Sequence, residues 1–155
     1  MPVLVYAEHL QGRFKKSAFE IVSYGAAIAS GLQTTLVAIS IGDVEDNELQ
    51  LLSKFGADKI LTVKGPEYSA TDVQPFAAAI AQAAQTSQAS VVVMSASFSG
   101  KAIAPRVAVK LDASFGDNVI DLPQMGAAFV VKKNSYSGKA FSMVELLAPV
   151  KVISV

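Results

Sequence analysis

Apolar residues in this chain follow two rhythms that alternate along its first two thirds. Short β-branched runs occupy residues 2–9 (PVLVYAEH), 34–41 (TTLVAISI), 59–63 (KILTV) and 91–94 (VVVM). Runs of this kind predict strands. Between them, apolar residues recur three or four apart, which predicts helices. Phe14, Ala18, Ile21, Val22, Gly25, Ile28, Ala29 and Leu32 make the first stripe, with Gly31 where a capping glycine belongs. Leu49, Leu51, Leu52 and Phe55 make a shorter one within residues 44–55, and Gly56 stops it. Val73, Phe76, Ala77, Ile80 and Ala84 make the third. Thr71 and Gln74 precede it at capping-box spacing, and Pro75 falls in its first turn, where a missing N–H costs little. Ile103, Val107 and Leu111, beside Ala104 and Ala108, make the fourth. Pro105 lies inside that stripe, so the regular helix either starts near it or kinks there.

Four strand–helix rounds with short loops predict a parallel sheet covered on both faces, with right-handed crossovers. Residues 91–94 are apolar without alternation, as a central parallel strand should be. After Leu111 the pattern changes. Residues 114–122, 127–132, 140–147 and 150–155 read as strands with no helix between them. Pro123-Gln124, residues 134–138 and Ala148-Pro149 are the breaks. Phe129/Val131 and Val150/Val152 partly alternate, which predicts an antiparallel extension closing the sheet. The fold expected is α/β, mostly parallel, with that C-terminal extension. The last run stops at Val155 with no tail, so a truncated chain or one domain of a larger protein is expected.

Composition narrows the function classes. At 155 residues the chain suits one domain. Hydrophobic residues are 52% and charged residues 17%, which is core-rich and too apolar for disorder. Thirteen basic residues balance thirteen acidic ones and no segment concentrates the basic side, so no nucleic-acid partner is expected. Absence of cysteine excludes disulfides, thiolate chemistry and cysteine-based metal sites, and suits the bacterial cytoplasm. The first strand-like run begins at Val3, leaving no room for a targeting segment before it. No apolar run approaches the ~20 residues that cross a bilayer, so no membrane insertion is expected.

Candidate chemistry centres on the loop after residues 91–94. Ser95, Ser97, Ser99, Gly100 and Lys101 stand where free amides of a helix start could hold a phosphate. The same serines also serve as turn and capping residues. The loop satisfies neither G-x-x-x-x-G-K-[ST] nor G-x-G-x-x-G. Lys101 and Arg106 sit in the first turns of the helix, where its dipole disfavours cations, which points to an acidic partner or ligand near this end or to two solvated side chains. His9 is the only histidine, and Glu8 precedes it. Adjacent strand residues face opposite ways, so a structural histidine is the expectation over an acid–base pair. Asp112, Asp117 and Asp121 match no calcium loop and read as turn and edge residues. No serine nucleophile elbow and no metal-ligand spacing is present, so no catalytic residue and no metal ligand is assigned.

The same stretch carries a family resemblance. Gly100-Lys101-x-x-x-Pro105-Arg106-Val107-Ala108-x-x-Leu111-Asp112 resembles the G-[KR]-x-x-x-P-R-x-A-x-x-L-[DG] block in the N-terminal domain of the electron transfer flavoprotein alpha subunit. Val3-Leu4-Val5-Tyr6-Ala7-Glu8-His9 resembles the opening V-L-V-x-A-E-H, and Gly56-Ala57-Asp58-Lys59-Ile60 the G-A-D-K-V before the third strand. Asp117 with Val119, Tyr136-Ser137-Gly138-Lys139-Ala140 and Lys151-Val152-Ile153-Ser154-Val155 resemble the S-D-I/V-x-x-I, Y-A-G-N-A and K-V-I-T-V blocks, in the same order. Departures occur at residues 132–135, where Lys-Lys-Asn-Ser replaces the usual Arg-Pro segment, at Lys139 for asparagine, and at Ser97 and Ser99, where threonines are common.

That resemblance implies a Rossmann-like, adenine nucleotide alpha hydrolase-like three-layer sandwich spanning residues 1–155 as a single domain. It implies a heterodimer with an electron transfer flavoprotein beta subunit. FAD would sit mainly on a C-terminal domain of the alpha subunit absent from this chain, and AMP on the beta subunit, so this chain alone would bind no flavin. The complex would pass electrons from flavoprotein dehydrogenases, as in fatty acid beta-oxidation, to a membrane quinone oxidoreductase or another acceptor. The domain itself would be a scaffold without a catalytic site. Two alternatives share the fold. A stand-alone adenine-nucleotide module of the universal-stress-protein kind would show a glycine pattern that residues 97–106 do not reproduce, and a hydrolase would need a nucleophile pair.

Overall fold

At the centre of the molecule lies β1 (Val3–Tyr6), buried at every position. The computed structural model describes all 155 residues. On one side of β1 run β4 (Leu36–Ile41) and then β5 (Lys59–Val63); on the other run β6 (Val91–Met94), β11 (Lys151–Ser154) and β7 (Ser114–Gly116). All five pairings are parallel, with Val3 opposite both Leu36 and Val91, and Lys151 opposite both Val91 and Ser114. The alternation of strand side chains splits the interior in two. Val3 and Val5 face one core with α1 (Lys16–Gly31) and α2 (Asp46–Lys54). Leu4 and Tyr6 face the other, with α3 (Val73–Ser87) and α4 (Phe98–Leu111). The three-layer α/β sandwich expected from the two rhythms is the observed fold.

Local chemistry explains the ends of these elements. The first strand is shorter than its apolar run because the chain turns out of the sheet after Ala7. Residues His9–Leu10 (β2) then pair with Arg13–Phe14 (β3) across Gln11 and Gly12, both at positive φ. Helix α1 ends at Gly31, but the left-handed residue that closes it is Gln33. Gly56, at φ 121°, does stop α2. Asp72, not Thr71, caps α3, its carboxylate accepting from the Gln74 amide at 3.3 Å. Helix α4 begins at Phe98 with Ser97 as its cap and continues through Pro105. Gly25 brings α1 close to the sheet, since a Cβ there would overlap Val5 Cγ2.

The C-terminal third differs from expectation in one respect. Antiparallel strands are present, but they form a separate sheet: β8 (Gln124–Met125), β9 (Phe129–Ser135) and β10 (Ala140–Glu145), in the order β10-β9-β8. The last strand, β11, leaves them and enters the main sheet parallel, between β6 and β7. Val152, Ile153 and Ser154 are all buried there, as a strand with neighbours on both sides and helices or strands on both faces must be. The small sheet covers the α1 face of the molecule through Val131 and Leu146.

Candidate functional site

Chain connections leave β1 in opposite directions, to β4 and ultimately to β6, so the switch point of the sheet lies between β1 and β6. In open α/β sheets the crevice at the carboxyl ends of such strands is the usual ligand position. Here Glu8 leaves β1 into it, and residues 95–100 leave β6 beside it. Glu8 is 5% exposed. Ser97 Oγ donates to Glu8 Oε1 at 2.5 Å and accepts from the Gly100 amide at 3.0 Å. The Lys101 amide donates to the Ser97 carbonyl, and the Lys15 ammonium lies 3.5 Å from Glu8 Oε2. A Cβ on Gly100 would overlap the Ser95 carbonyl oxygen, so this tight strand-to-helix turn requires glycine. Val155 closes the loop from the far side, its carbonyl accepting from the Ala96 amide at 2.8 Å.

Ser97 and Gly100 of the five loop candidates are thus drawn into one network with Glu8. Ser95 supplies the crowding carbonyl, and Ser99 is half-buried in the first turn of α4. Lys101 is exposed and its charge acts on Asp117. The hydrogen bond from Lys133 holds the Asp117 carboxyl below its usual range, with the Lys101 charge a smaller contributor. Arg106 is exposed and donates to the Ala102 carbonyl at 3.2 Å, within its own helix. A phosphate entering the crevice would meet the Glu8 carboxylate already bound to the cap of α4. Composition alone did not reveal this, because Glu8 and Ser97 are 89 residues apart in the chain.

His9 has a structural part. Its Nε2–H donates to the Ile41 carbonyl at 2.6 Å while Nδ1 accepts from the Gly12 amide at 3.0 Å, which fixes the tautomer. It ties the β2–β3 hairpin to the end of β4, while Glu8 is bound to Ser97. Asp112, at φ 52°, terminates α4, and Asp121 pairs with Lys132 at 3.7 Å. No group of three or more His, Cys, Asp or Glu is placed to hold a metal ion.

Two features lie outside these candidates. A cleft of about 810 Å³ opens at the carboxyl ends of β1, β4 and β5, lined by Tyr6, Asp43, Tyr68 and Phe76 among others. The second is the outer face of the small sheet. Phe141 and Met143 on β10, with Tyr136 and Leu147 at its two ends, are 60%, 55%, 82% and 78% exposed. The Lys132 ammonium lies 4.6 Å from the centre of the Phe141 ring.

The family model of the electron transfer flavoprotein domain matches residues 3–155. The chain belongs to that family. It is 25% identical over 142 residues to the electron transfer flavoprotein subunit alpha of Bacillus subtilis, covering 92% of this chain and 43% of that one. The corresponding subunit of Thermoanaerobacterium thermosaccharolyticum is 29% identical over 109 residues, covering 70% of this chain and 33% of its own length. The lactate dehydrogenase (NAD(+),ferredoxin) subunit LctC of Acetobacterium woodii is 24% identical over 108 residues, covering 70% and 26%. The chain therefore spans less than half the length of these curated relatives. A universal stress protein from Archaeoglobus fulgidus overlays 71% of this chain and 87% of its own at TM-score 0.47 and 15% identity. No helix of this electron transfer flavoprotein domain is long and apolar enough to cross a membrane.

Proposed function

We propose that this electron transfer flavoprotein domain is the N-terminal scaffold of an alpha-type subunit, working by docking and not by catalysis. The observation that carries the reading is the family match along residues 3–155, together with relatives named as alpha subunits. In this reading the chain seats a beta-type subunit and supports a flavin domain, and the assembled complex passes electrons from dehydrogenases to a quinone oxidoreductase or another acceptor.

Two structural features support it. The residues at the switch point do not fit the pyrophosphate of FAD or the phosphate of AMP, because the buried Glu8 carboxylate stands at the start of α4. In this reading the flavin and the nucleotide sit elsewhere in the complex. The outer face of the small sheet presents clustered apolar side chains, Tyr136, Phe141, Met143 and Leu147, of the kind that mark a protein contact.

Co-expression with a beta-type subunit of the same organism tests the reading. The two chains are expected to co-purify at equal stoichiometry. Phe141→Glu with Met143→Glu is expected to weaken the pairing by about tenfold or more, as loss of central apolar anchors does. The purified chain alone is expected to show no flavin absorbance. A stoichiometric flavin on the isolated chain, or micromolar AMP binding by calorimetry, would replace this reading with a nucleotide-binding one.

A further inference from the structure

The cleft beside the β2–β3 hairpin has a chemistry of its own. Its volume of about 810 Å³ falls in the range of small-molecule sites. One wall is a cluster of three rings. Tyr6 and Phe76 meet edge to face at 6.4 Å between centroids, and Tyr68 meets Phe76 at 5.8 Å. Asp43, exposed at the end of β4, is the one carboxylate on the lining, and neither lysine nor arginine lines it. The adjoining trough shares Asp43 and adds Glu45, Asp46 and Glu48 against Arg13 and Lys64. Field and lining together favour a positive charge over a negative one.

Tyr6 supplies an independent indication. The residue is 4% exposed and lines the cleft. Tyr24 donates its hydroxyl to a carbonyl at 2.7 Å, whereas the Tyr6 hydroxyl has no protein partner and is not closed off from solvent, so it is open to the cleft it lines. Burial first, and the Glu8 charge second, push the Tyr6 phenol above its usual value, so it stays neutral. A hydroxyl with no partner in the fold, facing the cleft, is free to bond a ligand that enters it.

We propose that this cleft is a binding site for a small organic cation, an ammonium group carried on an aromatic or alkyl body. The ammonium N–H groups donate to the Tyr6 oxygen and to the Asp43 carboxylate, and the body packs against Tyr68 and Phe76. Ring faces attract such cations, and the attraction grows where water is excluded. The site is separate from the switch-point crevice and from the outer face of the small sheet, so it does not depend on the docking reading.

Amide shift titrations of the 155-residue chain with benzylamine, benzyl alcohol and benzoate test the charge preference. Benzylamine is expected to saturate, with shifts centred on Gly12, Gly42 and Thr71, and to bind about fivefold more tightly than benzyl alcohol. Benzoate is expected not to saturate. Asp43→Asn is expected to erase the preference for amine over alcohol. Tyr6→Phe is expected to weaken benzylamine by about fivefold, the equivalent of one hydrogen bond, while the melting temperature of the free protein holds or rises. The proposal is overturned if benzyl alcohol or benzoate binds as tightly as benzylamine, or if benzylamine gives no saturable shift up to about 20 mM. It is also overturned if Tyr6→Phe lowers the melting temperature, since the hydroxyl would then have a partner in the fold.

Discussion

Ser97 holds together two parts of the molecule that the sequence keeps far apart. Its oxygen caps α4 by accepting from Gly100, and its proton goes to the buried Glu8 carboxylate. A lost cap costs about 1 kcal/mol and a lost hydrogen bond to a charge about 1.5–3 kcal/mol, so Ser97→Ala should cost roughly 2.5–4 kcal/mol. For a domain of this size that lowers the melting temperature by about 5–15 °C. Glu8→Ala should cost less, because it also removes a buried charge and leaves the cap intact. The two effects share one bond, so the double variant should lose clearly less than the sum of the singles. Thermal unfolding of all four proteins measures this, and strict additivity would mean that the Glu8–Ser97 bond contributes nothing. Lys15 adds little to the cluster, since its side chain is 44% exposed and 3.5 Å away. The capping role was legible in the loop from its serine at a strand–helix junction. The acid was not, because a carboxylate after a strand is ordinary in sequence and becomes the occupant of a crevice only once β1 and β6 are neighbours.

Helix α1 is positioned by the absence of a side chain at residue 25. Val5 Cγ2 and Leu36 Cδ1 occupy the space a Cβ would need. Gly25→Ala should therefore destabilise by about 1–3 kcal/mol through overpacking, even though alanine is the better helix former. Val5→Ala removes the colliding methyl and leaves a void that a methyl introduced at residue 25 can fill. The double variant should be more stable than the two single costs predict, and urea midpoints of the four proteins give the coupling directly. Midpoints that simply add would mean that residue 25 does not set the helix–sheet distance. The four strand–helix rounds were readable in advance because both rhythms are local properties of the chain. The place of β11 was not. Val150 and Val152 alternate like a half-exposed antiparallel strand, yet Val152, Ile153 and Ser154 are all buried. What decides the pairing is the path of the chain, which crosses the small sheet before it returns between β6 and β7. Likewise the outer strip of β10 alternates in the expected way, but its exposed positions carry Phe141 and Met143 where polar residues would be expected. That local conflict between pattern and residue type is the trace a docking face leaves in a sequence.

Two cores lie on opposite faces of one sheet, and a tyrosine belongs to each side. Tyr6 extends from β1 into the core shared with α3 and α4. Tyr24 packs against the other core, and its hydroxyl donates to the Asp121 carbonyl at 2.7 Å, joining α1 to the segment that leads into the small sheet. Burial pushes both phenols above their usual value, with the charges of Glu8 and Asp121 adding to it. In the unfolded chain each ionises near pH about 10. A raised native value means that the native state holds protons the unfolded state has lost, so stability is complete below that pH and falls as pH rises beyond it. Two of the four tyrosines should therefore keep their protons until the fold gives way. Near-ultraviolet tyrosinate absorbance and far-ultraviolet ellipticity, followed over one alkaline titration, test this. The last part of the absorbance rise should coincide with the loss of ellipticity, and the urea midpoint should fall steadily above pH about 10. Tyr24→Phe should flatten that fall, since one of the two phenols responsible is gone. Complete ionisation of all tyrosines with the ellipticity intact would show that neither phenol is sealed in the native state. Because Tyr24 anchors the segment that carries the small sheet, its ionisation loosens the proposed docking face as well as the core. A beta-type partner bound to that face should therefore carry the alkaline transition to higher pH, by mass action on the native state alone.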